Sequence, residues 1–173
     1  IDNRFISERV NQIRNWNMEF IHGDILDKEL VNKYFKDADI VHHLAGITQV
    51  PRTKSESTLN QDEKIKLVGE KGTQNILDSI SDKCKIIFPS THVVYEGIEK
   101  VKNDIKEDEE TKPVLSYSSS KAINEKQLKE SGKNYVILRL GSVYGYSTDT
   151  TRIDIMPNLF SKIASQNGTL KLF

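Results

Sequence analysis

Four apolar runs of strand length, at residues 18–21, 40–44, 85–89 and 135–140, recur along the chain with helical patterns between them. The runs are short and do not alternate apolar with polar, as befits strands buried on both faces of a parallel sheet. Helices are predicted over 27–35, 61–80 and 117–131. In the second of these, Ile65, Val68, Gly72, Ile76 and Ile80 recur at helical spacing and predict one core-facing stripe. Gly132 follows the third, where a helix is predicted to end. Strand–helix–strand repetition favours right-handed parallel crossovers, so the expected class is α/β with a doubly wound parallel sheet.

Composition narrows the function. With 173 residues and 36% hydrophobic content, one domain with a sizeable core is within reach. The 25 basic and 25 acidic residues balance, which leaves no electrostatic footprint for nucleic acid or an anionic membrane. Cys84 is the single cysteine, so no intramolecular disulfide forms. It precedes an apolar run and reads as a strand-edge residue without redox work. No apolar stretch reaches membrane-spanning length and no signal-peptide pattern occurs, so the chain reads as cytosolic. The charged, aperiodic stretch 99–112 reads as a solvated loop without chemistry of its own.

Chemistry concentrates in Tyr117-Ser118-Ser119-Ser120-Lys121. A tyrosine and a lysine four apart share one helix face. An ammonium beside a phenol, whose free pKa is about 10, favours the phenolate and so makes a base. Alone the spacing is weak, and it fits an amphipathic surface tyrosine beside a solvated lysine as well. Two flanking segments change that balance: Pro89-Ser90-Thr91-His92-Val93-Val94-Tyr95 upstream and Leu138-Arg139-Leu140-Gly141-Ser142-Val143-Tyr144-Gly145 downstream. Together the three segments resemble the extended short-chain dehydrogenase/reductase family, which includes NAD-dependent nucleotide-sugar epimerases and dehydratases.

The resemblance implies that Tyr117 takes the proton from a sugar hydroxyl while hydride leaves the same carbon for nicotinamide. Lys121 is implied to hold the nicotinamide ribose and lower the tyrosine pKa, and Thr91 to donate a hydrogen bond to the reacting oxygen. For the cofactor, the matching positions are Asp2, Asn3, Asp24, Ile25, Leu44, Ala45 and Gly46, with Thr48 lining the site and Tyr117 and Lys121 shared. A carboxylate at a strand end suits a ribose diol and repels a 2′-phosphate, which favours NAD over NADP; Arg4 nearby weakens that preference. Asp24 fits an ordinary capping turn as well as an adenine contact. His42 and His43 are adjacent, point opposite ways in a strand, and read as structural rather than as metal ligands. No metal is expected.

Several positions depart from the family pattern. Gly69 stands where an asparagine is usual, Ser142 where many sugar-nucleotide enzymes have an asparagine, and Glu96 intrudes before the usual glycine, Gly97. His92 and Val93 follow Thr91 where the family's dehydratases carry an Asp-Glu pair.

No G-x-G-x-x-G or G-x-x-G-x-x-G occurs in the 173 residues. Residues 1–3 resemble the end of the family's second strand, and 159–173 resemble the segment leading to its substrate domain. Residues 1–173 are therefore expected to form a partial NAD-binding, Rossmann-like domain truncated at both ends, with 146–173 leading toward an absent C-terminal substrate-binding part. The implied activity is that of an NAD-dependent nucleotide-sugar epimerase or dehydratase, homodimeric as the full-length parent. The alternatives are a reductase of the same family on a non-sugar substrate and a dinucleotide sensor without turnover. Pyrophosphate affinity comes mostly from a Gly-rich turn and the helix N-terminus behind it. Calorimetric titration of residues 1–173 with NAD is thus expected to give a dissociation constant well above about 10 μM; tighter binding contradicts this account of the missing turn.

Overall fold

The computed structural model describes residues 10–47, 59–145 and 155–171. Two compact units divide the chain, one spanning 23–141 and the other combining 1–22 with 142–173.

In the first unit, helix α1 (Lys28–Phe35) begins where Asp27 accepts a hydrogen bond from Leu30 N at 3.0 Å, satisfying an otherwise orphaned first-turn donor. Strand β1 (Ile40–His42) follows, then helix α2 (Leu59–Lys66), a π turn (Leu67–Lys71) and helix α3 (Gly72–Ser79). Next come strand β2 (Lys85–Thr91), a 3-10 turn (His92–Tyr95), helix α4 (Ser116–Glu130) and strand β3 (Asn134–Leu140). The three strands lie in the order β1-β2-β3 and both pairings are parallel, with Ile40 opposite Lys85 and Lys85 opposite Asn134. Parallel neighbours require crossovers, and helices α2–α3 and α4 supply them. Gly132 ends α4 as predicted, with φ of 69° in the left-handed region that suits glycine.

One core joins Val31 of α1, Val41 of β1, Ile76 and Leu77 of α3, Ile86 and Phe88 of β2, and Leu128 of α4. Among the described residues, helices α1, α3 and α4 therefore cover the same sheet face. This differs from the pattern predicted for strands buried on both sides. On the opposite face Ile40, Val136, Leu138 and Leu140 are 39–55% exposed. Burial in β2 alternates accordingly, with Ile86 and Phe88 buried and Ile87 and Pro89 only partly so.

The predicted 61–80 helix is also interrupted. Its stripe survives, since Ile65, Gly72, Ile76 and Ile80 are buried and Val68 partly so, but the π turn changes the local winding. Gly69 and Glu70 present carbonyls that accept from Asn124 Nδ2 and Gln127 Nε2 of α4, each at 3.1 Å. Gly69 permits this approach: a Cβ there would lie 2.2 Å from Ser120 Oγ. The departure from the usual asparagine is thus a packing feature between two helices.

Residues 18–21, predicted as a strand, are not one. They make no ladder with another strand among the described residues, and Met18, Phe20 and Ile21 are exposed. A strand is defined by its pairing, and hydrophobicity without a neighbour does not make one. The second unit contains a helical stretch over 10–15 and helix α5 (Met156–Ser165), with Pro157 in its first turn, where no N–H is missed. Asn158 Oδ1 there accepts from Gly145 N at 3.1 Å. Among the described residues no helix is long and apolar enough to cross a membrane. Cys84 is fully buried, and desolvation raises its thiol pKa, in keeping with a packing role.

Helix α4 is fastened to the sheet by charge. Glu125, 2% exposed, accepts from Ser90 Oγ of β2 at 2.6 Å and from Arg139 Nη2 of β3 at 2.6 Å. Burial opposes its ionisation, but the bonds from Arg139 and Ser90 outweigh that and hold the carboxyl below its ordinary range. A lowered carboxyl pKa stabilises the fold above the ordinary value, and that contribution is lost as pH falls through the lowered one. Glu125→Ala removes the carboxylate partner of the partly buried Arg139, so urea unfolding is expected to lose roughly 3 kcal/mol. A loss under about 1 kcal/mol, typical of an exposed pair, contradicts this.

Candidate active site

The carboxyl ends of the parallel strands and the first turns of α4 converge on one region. In open α/β sheets ligands bind at that edge. Thr91 ends β2 and caps the 3-10 turn, its Oγ1 accepting from Val93 N at 3.3 Å. A hydroxyl that accepts still has a proton to donate. Tyr117 and Lys121 stand one turn apart on α4, with Lys121 Nζ 6.0 Å from the centre of the Tyr117 ring. The ammonium donates to Pro89 O at 2.9 Å and lies 4.4 Å from the centre of the Phe88 ring. β2 thus fixes the lysine from below through a carbonyl and an aromatic face.

Burial lowers the Lys121 pKa from 10.5 to about 8. The ammonium form still dominates at neutral pH, as support of a phenolate requires. His43, at the end of β1, is 3% exposed, and its Nε2 sits 2.8 Å from Thr73 Oγ1. Desolvation, and after it the charge of Lys121, lowers its pKa from 6.5 to about 4. At neutral pH one charge therefore occupies this interior, on the lysine. His42 faces the exposed side and His43 the buried one, so the adjacent histidines do diverge as expected. Among the described residues no group of three His, Cys, Asp or Glu could hold a metal ion.

A small pocket of about 30 Å³ gathers Leu44, Ala45 and Gly46 beside Tyr117, Lys121 and Asn124. Two segments far apart in sequence, predicted as cofactor and catalytic positions, thus meet there. Asp24 and Ile25 are not in its lining. Asp24 Oδ1 accepts from Leu26 N at 2.9 Å, an Asx-type turn that commits one carboxylate oxygen locally. Ile25 packs its side chain against the core, and its carbonyl accepts from Asn75 Nδ2 at 2.9 Å. Asp2, Asn3 and Thr48 lie outside the described residues.

Sequence reading passed over Asn124, which is three positions beyond Lys121 and seven beyond Tyr117 and so shares their helix face; the helical period alone would have found it. It also missed the 99–112 stretch as a tethered element. Lys112 N donates to Val94 O at 2.8 Å, Tyr95 Oη to Lys106 O at 3.1 Å, and Arg139 Nη1 to Glu107 O at 2.9 Å. The loop is solvated, but it closes over Arg139 and Tyr95 instead of hanging free.

Residues 2–173 match the model of the NAD dependent epimerase/dehydratase family. CDP-paratose 2-epimerase of Salmonella typhi is 40% identical over 93 residues, which are 50% of this chain and 25% of the relative. The 3beta-hydroxysteroid-dehydrogenase/decarboxylase isoform 2 of Arabidopsis thaliana is 26% identical over 147 residues, 77% of this chain and 24% of the relative. Among solved structures, UDP-glucose 4-epimerase from Brucella ovis in complex with NAD superposes with a TM-score of 0.61 at 28% identity, covering 75% of this chain and 40% of that one. The chain spans about a quarter of these curated relatives and well under half of the solved one.

The lysine provides a direct check on this geometry. Nitrogen-detected NMR of the Lys121 ammonium is expected to titrate with a midpoint of about 8, below the ordinary lysine value of 10.5. A Lys121 midpoint at the ordinary value contradicts the buried placement over Phe88.

Proposed function

The chain belongs to the NAD dependent epimerase/dehydratase family, and from that premise we propose that it is the catalytic core of an NAD-dependent enzyme that epimerises a nucleotide-linked sugar. The observation that carries the reading is the meeting of Leu44-Ala45-Gly46 with Tyr117 and Lys121 in one pocket at the carboxyl edge of the sheet.

The residues present fit the nicotinamide-ribose end of a dinucleotide. Gly46 is open, with nothing within 4 Å of where a Cβ would stand, so a ligand can approach the backbone closely. Lys121 brings a desolvated ammonium whose other donors suit ribose hydroxyls. Bound there, NAD supplies a hydride acceptor. The protein supplies the proton chemistry. Tyr117 takes the hydroxyl proton, Lys121 stabilises the phenolate that does so, and Thr91 donates to the oxygen as carbonyl character develops. Bringing a phenol from about 10 to near 7 requires roughly 4 kcal/mol of preferential phenolate stabilisation, within reach of an adjacent ammonium in a partly desolvated site.

His92 and Val93 support return of hydride to the same carbon over loss of water. Dehydration needs an acid and a base beside the new ketone. Val93 transfers no proton. His92 Nδ1 lies 3.1 Å from Leu140 O, and a carbonyl only accepts, so Nδ1 carries the proton and is committed to the backbone. One side chain with one remaining nitrogen does not replace a carboxylic acid pair. A reductase acting on a non-sugar substrate is the second reading, favoured by Ser142 in place of the usual asparagine and by the similarity to the steroid dehydrogenase.

In the full-length protein, Tyr117→Phe is expected to lower turnover about 100-fold or more with NAD affinity nearly unchanged. Retention of most of the activity removes Tyr117 as the base. With UDP- and dTDP-hexoses, mass spectrometry is expected to find a product isomeric with its substrate. A product lighter by one water contradicts the epimerase reading.

A further inference from the structure

We propose that Glu96 is a positioning residue that holds the first turn of the reactive helix in register with Thr91. The proposal deepens the reading of Thr91, Tyr117 and Lys121 given above and rests on it.

Helix α4 begins poorly by local rules. Its N-cap is Leu115, whose side chain accepts no hydrogen bond, where Ser, Thr, Asp or Asn would serve. The missing acceptor comes from another part of the chain. Glu96 follows the 3-10 turn that Thr91 caps, and its Oε1 accepts from Val114 N and from Leu115 N, both at 2.7 Å. The same oxygen pairs with Ser118 Oγ. Ser118 is 1% exposed, accepts from Leu115 N at 3.2 Å, and is the immediate neighbour of Tyr117. A carboxylate taking three donors at a helix N-terminus is charge-assisted and aligned with the helix dipole. Although burial opposes its charge, the bonds from Ser118, Leu115 and Val114 prevail and lower its pKa.

The backbone reinforces this junction. Gly97 N donates to Lys112 O and Lys112 N donates to Val94 O, both at 2.8 Å, on either side of Glu96. The stretch from Thr91 to Gly97 is thereby joined to the approach to α4. Thr91, the donor to the reacting oxygen, and Tyr117, its base, come from different elements. Their separation is set by whatever connects those elements, and Glu96 does so through side-chain bonds. Misplacing a reacting group by about 1 Å can cost on the order of 100-fold in rate. The bonds of Glu96 go to Val114, Leu115 and Ser118 and not to Thr91, Tyr117 or Lys121, so its proposed effect passes through α4.

The test has two arms. Hydrogen exchange on this chain, comparing Glu96→Ala with the parent, is expected to be about 10-fold or more faster at Ser118–Lys121, while amides of α1 are unchanged. Glu96→Gln keeps an acceptor oxygen at the same reach and is expected to restore most of that protection. In the full-length protein turning over a UDP-hexose, Glu96→Ala is expected to lower kcat about 10- to 100-fold with KM nearly unchanged, and Glu96→Gln to recover much of the loss. Uniformly faster exchange across both helices, or a fall in kcat that glutamine does not relieve, assigns Glu96 a different role. Tyr117→Phe separates the two readings. If that variant stays active, the base assignment fails. If it is inactive while Glu96→Ala keeps parental kcat and protection, the proposal for Glu96 fails.

Discussion

The buried carboxylate of Glu125 binds helix α4 to two neighbouring parallel strands at once, through Ser90 of β2 and Arg139 of β3. Hydrophobic contact alone positions a helix loosely, because apolar packing is non-directional. A largely desolvated ion pair with two-point geometry is directional, and its disruption is costly because the surviving charge loses its partner in a partly buried place. Tyr117, Lys121 and Glu125 recur every four residues, so they lie along one stripe of α4. Leu128 continues the stripe into the core at 0% exposure. The face grades from packed interior, to charged anchor, to half-buried ammonium, to the Tyr117 phenol. Fixing Glu125 therefore fixes the azimuth of the residues that would do the chemistry.

The interior at the strand ends is electrostatically selective. Lys121 and His43 share low-dielectric surroundings next to Phe88, and the two cannot both charge cheaply. The histidine remains neutral and bound to Thr73, with its pKa near 4, and the lysine carries the charge, with its pKa near 8. A drop from 10.5 to about 8 corresponds to roughly 3 kcal/mol by which burial disfavours the ammonium. That penalty is eased by any acceptor or anion brought close, a phenolate or ribose hydroxyls above all.

The α/β class, the parallel strands at 40, 85 and 135, and the Tyr117–Lys121 spacing were legible in the sequence because each is a local pattern read over a few residues. The convergence of Leu44-Ala45-Gly46 on Tyr117 was legible through resemblance, since spacing alone does not bring together residues so far apart in sequence. What escaped was long-range. Residues 18–21 looked like a strand because hydrophobicity does not report whether a neighbour is present to pair with. The π turn at Leu67–Lys71 depends on Asn124 and Gln127 receiving its carbonyls, and Gly69 alone announces no such partner. Glu96 appeared in sequence only as an intruder before Gly97, whereas its meaning lies in two amides and a hydroxyl about 20 positions on. Polar partners chosen across the fold leave no periodic trace.

In the proposed chemistry, the carboxyl edge of this sheet, with Tyr117, Lys121 and Thr91 on it, removes a proton as hydride leaves the same carbon. Single-turnover stopped-flow on the full-length protein, loaded with NAD and mixed with a UDP-hexose, reads that event through the near-ultraviolet absorbance of reduced nicotinamide. The expected result is a transient that rises and then decays within one turnover, as the hydride is taken up and returned. Conversion of the sugar with no transient, or with a transient whose size does not change when the carbon-bound hydrogen is replaced by deuterium, would contradict that chemistry.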